Sequence, residues 1–185
     1  ARPETRLGDY DDPRWVSLQC RVMPSPQFRR LGENAAVRGV LETIFEGPAL
    51  GERGDTCRVF SPQTPELTTR PHQDRYYVRG EPALWTVWIP LGDCPIDLGG
   101  LAVAPGSHRE GLRRHAGEGS GRQGVEIPPG VAWNTADYRC GDVVMFSGFT
   151  LHRALENRTA DRLRVSADFR YEPARATVEK GGGDA

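Results

Sequence analysis

Three hydrophobic patterns succeed one another along the chain. Val16, Leu18, Cys20 and Val22 alternate with Ser17, Gln19 and Arg21, and a period of two predicts a β-strand. Pro24-Ser25-Pro26 ends it. From about Glu33 to Phe45 the period changes: Val37, Val40, Leu41, Ile44 and Phe45 fall at helical spacing. They predict one amphipathic helix that lays this stripe on a sheet, closed by Gly47-Pro48. From Thr56 onward short β-prone runs are separated by turn residues. Strands are expected over 56–60, 72–78, 84–89, 101–104, 143–146 and 162–171, with breaks at Pro90, Asp97–Gly100, Pro105-Gly106 and Gly141-Asp142. Residues 1–15 read as a polar arm. Residues 110–132, rich in Gly, Arg and Glu, read as a long loop of the kind that carries function or serves as a lid.

Many short strands with few helices between them predict a mainly β fold, a sandwich or jelly roll. A parallel sheet needs crossover helices, and the second half of the chain offers none. With 185 residues the chain has room for one domain, 1–185, with a real core. Its core is expected at about 56–172, with the strand and helix of 16–46 before it.

Charge and cysteines narrow the classes. A formal net charge of −1 gives no electrostatic reason to expect nucleic acid or an anionic membrane as partner. No run approaches the roughly 20 apolar residues of a membrane helix, so a cytoplasmic protein acting on a small molecule is expected. The four cysteines, Cys20, Cys57, Cys94 and Cys140, contain no C-x-x-C pair. They are expected to be free thiols and not a zinc or redox motif.

The chemistry concentrates at Arg70-Pro71-His72-Gln73-Asp74. In extended backbone, side chains i and i+2 share a face, so His72 and Asp74 can point at one ion. His152 ends another apolar run, Phe149-Thr150-Leu151-His152, and can supply a third ligand. Two histidines and one carboxylate on one face of a metal select non-haem Fe(II) oxygenase chemistry. The last predicted strand alternates cleanly. Leu163, Val165, Ala167 and Phe169 make its apolar face, and Arg162, Arg164, Ser166, Asp168 and Arg170 its polar one. Buried polar residues require a ligand or one another.

Several of these segments, in order, resemble the phytanoyl-CoA dioxygenase family. They are His72-Gln73-Asp74, Trp85–Leu91, Gly99–Arg109, Gly141–Phe146 and Leu151–Thr159, and the likeness runs over roughly residues 56–172. The resemblance implies a double-stranded β-helix, or cupin-like jelly roll, with N-terminal helical structure packed on the sheet. It implies Fe(II), with 2-oxoglutarate and O2 as co-substrates, and hydroxylation of a small molecule. The Arg-rich, Lys-poor composition points to bacterial natural-product biosynthesis or catabolism. Desaturation, epoxidation or ring formation by the same chemistry stays open. So does a non-catalytic metal-binding sensor.

The resemblance also implies roles. His72, Asp74 and His152 stand at the iron-ligand positions. Arg162 matches the arginine that grips the far carboxylate of 2-oxoglutarate, with Arg164 as second choice and Ser166 on the same face. An arginine suits this task because its guanidinium makes two parallel hydrogen bonds to a carboxylate. Trp88 matches a position beside the co-substrate. Gln73, Tyr76 and Tyr77 are candidates for the substrate pocket. His108 is expected to fix a turn, and His115, in the long loop, has no evident partner.

Overall fold

The structure is a computed structural model that describes residues 13–51, 54–62, 68–78, 83–116 and 124–174. Most of the N-terminal arm and residues 117–123 of the long loop lie outside the described residues. Three helices open the described chain: α1 (Pro13–Val22), α2 (Pro26–Gly32) and α3 (Ala35–Phe45). The strands that follow are β1 (Ala49–Gly51), β2 (Thr56–Phe60), β3 (Trp85–Pro90), β4 (Leu101–Val103), β5 (His115–Ala116), β6 (Gly124–Val125), β7 (Val144–Ser147), β8 (His152–Ala154) and β9 (Arg164–Pro173), with a one-turn helix α4 (Asp74–Tyr77) between β2 and β3.

The first expectation to fail is the N-terminal strand, because residues 13–22 are helical. The alternation conceals a second pattern, Trp15, Leu18 and Val22 at i, i+3 and i+7, and short apolar runs fit either period. Tertiary contact decides it: Gln19 Nε2 donates to the Cys57 carbonyl at 3.2 Å, fastening α1 to β2. The Pro24-Ser25-Pro26 segment does not merely stop an element. Ser25 caps α2, its hydroxyl accepting from the Phe28 amide at 3.2 Å, and Pro26 takes the first helical position, where its missing N–H costs nothing. The expected helix is α3, capped by Asn34. Its stripe is only partly used: Val37 and Leu41 are buried, whereas Val40 and Ile44 are exposed.

The main sheet is organised by β9. It pairs antiparallel with β2 and β1 along one edge and with β3 along the other, and β3 pairs with β7. The two faces of this sheet are both covered. Ala167, Phe169 and Tyr171 of β9, with Val87 and Ile89 of β3, pack outward on Phe28, Val37 and Leu41 of the helices. Facing the other way, Trp88 and Phe146 join Leu98, Leu101 and Tyr138 in a second cluster beneath the β4–β8 pair. The alternation of β9 therefore puts Arg164, Ser166, Asp168 and Arg170 on the inner face, and all four are buried. β9 begins at Arg164, two residues later than expected. Within the long loop β5 pairs antiparallel with β6. The four cysteines are free.

Candidate metal centre

His72 and His152 are brought together by backbone pairing. Each donates its amide to the other's carbonyl at 3.0 Å, an isolated antiparallel bridge beside the β4–β8 pair. Their rings stand 4.1 Å apart between centroids. Asp74 arrives differently. Gln73 is extended (φ −124°, ψ 126°), which preserves the shared face of positions 72 and 74, and the chain then turns into α4 at Asp74. The expected strand over 72–78 is thus absent. Gln73 is why the turn is fixed. Its side chain is fully buried and bonds only backbone: Nε2 donates to the carbonyls of Gly111 (2.8 Å) and Phe149 (2.6 Å), and Oε1 accepts from the Arg113 amide (2.7 Å).

The three ligand atoms lie within 4.8 Å of one another. His72 Nε2 is 3.4 Å, and His152 Nε2 3.6 Å, from Asp74 Oδ1. Both Nδ1 atoms face carbonyls: Arg70 O at 2.7 Å for His72, Thr150 O at 3.0 Å for His152. A carbonyl only accepts, so each Nδ1 carries a proton, which leaves each Nε2 facing Asp74. Burial, then the neighbouring His152, pushes the His72 pKa down to about 4, so this imidazole is neutral at ordinary pH. The Asp74 carboxyl is held well below the usual range. Burial opposes ionisation there, and the Arg170 guanidinium foremost outweighs it. Two imidazole nitrogens and a carboxylate oxygen converging in a buried space are a donor set that suits a divalent cation.

The second oxygen of Asp74 is already committed. Oδ2 accepts from Thr86 Oγ1 at 2.7 Å and from Arg170 Nη2 and Nε at 2.8 and 3.2 Å. Thr86 and Arg170 were not identified from the sequence as partners of the ligand. The signal was present, since Arg170 lies on the polar face of the last strand and Thr86 shares a face with Trp88.

The structure separates the two candidate arginines. Arg162 is exposed, its Nη2 3.4 Å from the Asp93 carbonyl. Arg164 is 2 % exposed, and with Trp88, His72 and His152 it lines a small cavity of about 20 Å³. Its Nη1 donates to Ser166 Oγ at 2.6 Å, its Nε to Gly99 O at 3.1 Å, and its guanidinium lies over the Phe60 ring. The register is set by Asn157, whose Nδ2 donates to the carbonyls of Phe60 and Arg162. That turn absorbs two residues before β9 starts.

A larger cavity of about 500 Å³ adjoins the first. It is lined by His72, Asp74, Tyr77, Arg58, Thr69, Arg170 and residues of α1 and β2. Tyr77 meets the His72 ring edge-on at 5.6 Å. Tyr76 does not line this cavity. It stacks flat on His115 at 4.1 Å. His115 does have a partner: its Nε2 accepts from the Gln73 amide at 3.0 Å, while its Nδ1 faces Arg113 O. Of the three candidates for the substrate pocket, Gln73 is therefore a bolt, Tyr76 a packing residue, and Tyr77 alone borders the space.

Comparison with known proteins agrees with this geometry. The family model for phytanoyl-CoA dioxygenase (PhyH) matches residues 9–165. The chain is 34% identical over 152 residues to 1-deoxypentalenic acid 11-beta-hydroxylase of Streptomyces arenae, a match covering 73% of this chain and 53% of that protein. It thus spans about half the length of the curated relatives it resembles. Among solved structures, the epimerase SnoN in complex with Fe3+, alpha ketoglutarate and nogalamycin RO superposes with a TM-score of 0.66 at 23% identity, covering 82% of this chain and 60% of that one. EvdO2 from Micromonospora carbonacea var. aurantiaca, complexed with 2-oxoglutarate, gives 0.65 at 19% identity, covering 90% and 66%. Among the described residues no helix is long and apolar enough to cross a membrane.

Proposed function

The chain belongs to the phytanoyl-CoA dioxygenase family, and from that premise we propose that it is an Fe(II)- and 2-oxoglutarate-dependent oxygenase, built on a double-stranded β-helix, that hydroxylates a small molecule of natural-product metabolism. The observation that carries this reading is the buried meeting of His72 Nε2, His152 Nε2 and Asp74 Oδ1. The donor set fits Fe(II): hard and borderline ligands, two neutral and one anionic, confined to one side of the ion. When bound, the iron and 2-oxoglutarate supply the power to oxidise an unactivated C–H bond.

The chain's own residues position and exclude. His72 and His152 present fixed tautomers because Arg70 O and Thr150 O hold their Nδ1 protons. Asp74 offers one oxygen because Thr86 and Arg170 hold the other. Arg164 and Ser166 are the residues we assign to the far carboxylate of 2-oxoglutarate, in preference to Arg162. The cavity beside Arg164 has room for about one water, not for a five-carbon diacid. Binding must therefore turn Arg164 off Ser166, exchanging a hydroxyl partner for a carboxylate and a stronger, charge-assisted bond. Trp88, 2 % exposed, walls this space from water. The larger cavity, beside His72 and Tyr77, is assigned to the substrate. Its volume suits a small organic molecule.

The test is succinate release from 2-oxoglutarate by the Fe(II)-loaded protein in air, followed by mass spectrometry of products from a metabolite pool. Stoichiometric succinate with a product gain of one oxygen atom is expected. A product lacking two hydrogens instead would keep the chemistry and replace hydroxylation by desaturation or ring closure. No 2-oxoglutarate binding by the iron-loaded protein would sink the reading.

A further inference from the structure

We infer that His115 is a positioning residue for the metal centre, and that it acts through the peptide joining His72 to Gln73. The inference rests on the assignment of His72, Asp74 and His152 to the metal. Three observations carry it.

The first is that the three buried histidines, His72, His115 and His152, share one arrangement. In each, the ring Nδ1 faces the carbonyl two residues earlier in the chain: Arg70 O at 2.7 Å, Arg113 O at 3.0 Å and Thr150 O at 3.0 Å. Each Nδ1 therefore carries a proton. What differs is the partner of Nε2. In His72 and His152 it faces Asp74 Oδ1. In His115 it accepts from the Gln73 amide at 3.0 Å. Both nitrogens of His115 are thus engaged with backbone, which makes this ring a support and not a ligand.

The second is which peptide it holds. The carbonyl of His72 and the amide of Gln73 belong to one planar unit. The carbonyl accepts from the His152 amide at 3.0 Å, and the amide donates to His115, so the unit is pinned on both edges. Rotating it would change ψ of His72 and φ of Gln73 together. Those angles decide whether side chains 72 and 74 leave the same face. The extended backbone of Gln73, φ −124° and ψ 126°, keeps them there. Without the pin, the approach of His72 Nε2 to Asp74 Oδ1, 3.4 Å, would loosen, and metal binding would have to restore it.

The third is that His115 is itself fixed by segments around the ligands. Its ring stacks on Tyr76 at 4.1 Å, and Tyr76 lies in the one-turn helix that Asp74 begins. Its backbone pairs with Val125, whose amide donates to the Pro71 carbonyl at 2.8 Å. The Gln73 side chain returns to the same stretch, at Gly111 O and the Arg113 amide. A ring held in this way has one position to offer the Gln73 amide.

The experiment compares wild type with His115→Gln, His115→Asn and His115→Phe. A glutamine amide reaches the place of Nε2 and keeps an acceptor for Gln73. An asparagine amide reaches only the place of Nδ1 and keeps the bond to Arg113 O. Phenylalanine keeps the stack on Tyr76 and neither bond. In Co(II) titrations without oxygen, affinity should fall roughly tenfold in the asparagine and phenylalanine variants and stay within about threefold in the glutamine variant, as for a partner behind a metal ligand. The visible absorption bands of bound Co(II) should shift in the first two and match wild type in the third. Unfolding of the metal-free proteins is measured beside these. If Co(II) affinity follows stability across the set and not the acceptor, or if wild-type bands persist in the asparagine and phenylalanine variants, the inference is overturned. Should those two variants fail to fold, His115→Gln decides: wild-type bands and affinity support the inference, and a loss of about tenfold overturns it. Wild type that binds no Co(II) strikes the proposed function instead. The inference is then read in metal-free protein carrying isotopically labelled histidine. There the Nδ1–H resonances of His72 and His152 should shift or broaden in His115→Asn and stay in place in His115→Gln, and resonances unchanged in both overturn it.

Discussion

Arg170 Nη2 lies 2.8 Å from Asp74 Oδ2, with both side chains 4 % exposed. This pair divides the carboxylate into a structural oxygen and a chemical one. The arginine, aided by Thr86 on the same oxygen, leaves Oδ1 to face the two histidines. Arg170→Gln should lower affinity for Co(II) or Fe(II) by about 10–100-fold, the usual effect of losing a partner behind a metal ligand. It should also cost roughly 3–5 kcal/mol of stability, because a buried carboxylate loses its countercharge. Metal titration and denaturant unfolding separate the two effects.

His72→Ala and His152→Ala should each abolish stoichiometric metal binding and 2-oxoglutarate turnover. The bridge that joins these residues is made of backbone amides and carbonyls, so the fold should survive. Circular dichroism together with metal analysis checks this. Full metal occupancy in either variant would remove the proposed centre.

Arg164→Ala should weaken 2-oxoglutarate by roughly 2–4 kcal/mol, the loss of a buried charge-assisted pair, whereas Arg162→Ala should change little. The sequence pointed to the opposite order. Equilibrium binding of 2-oxoglutarate to the anaerobic Fe(II) protein decides between them, and a larger effect at Arg162 would restore the earlier register.

His115 supplies the pH prediction. Its Nε2 accepts from the Gln73 amide, so it must be neutral to do so, and burial holds its pKa below the ordinary value of 6.5. A depressed folded pKa means that the unfolded chain takes up the proton first. This contribution to stability is present above about 6.5 and is lost as pH falls from there toward the folded pKa. Melting temperatures of the metal-free protein should therefore drop more steeply from pH 7 to 5 in wild type than in His115→Phe, which keeps the stack on Tyr76 and cannot titrate. Parallel curves would refute this role.

Gly99 stands at φ +84°, and a Cβ there would come 2.5 Å from Leu155 O. Its carbonyl also receives Arg164 Nε. Gly99→Ala should cost roughly 2–3 kcal/mol and weaken 2-oxoglutarate with it. Unfolding and binding measured on the same variant test both halves.

What the sequence determined by itself was local chemistry and period. His72-x-Asp74 and His152, the alternation of the last strand and the β-prone run before Pro90 are readable because they depend on i and i+2 geometry and on residue type. Even there Asp74 reached its place through a turn, not a strand, because Gln73 is bolted to two distant backbone segments, at 111–113 and at 149, that no local pattern reveals. Tertiary structure decided the rest. Residues 16–22 became helix because Gln19 bonds the Cys57 carbonyl and Val22 packs against the core. Arg164 points inward from β9 while Arg162 stays exposed before it, because Asn157 binds the carbonyls of Phe60 and Arg162 in the turn ahead of the strand. The polar face of β9 is buried, not solvated, because the sheet is covered on both sides: helices take its apolar residues, Asp74 takes Arg170, and Gly99 and Ser166 take Arg164. Period says which residues share a face. Only packing says what that face meets.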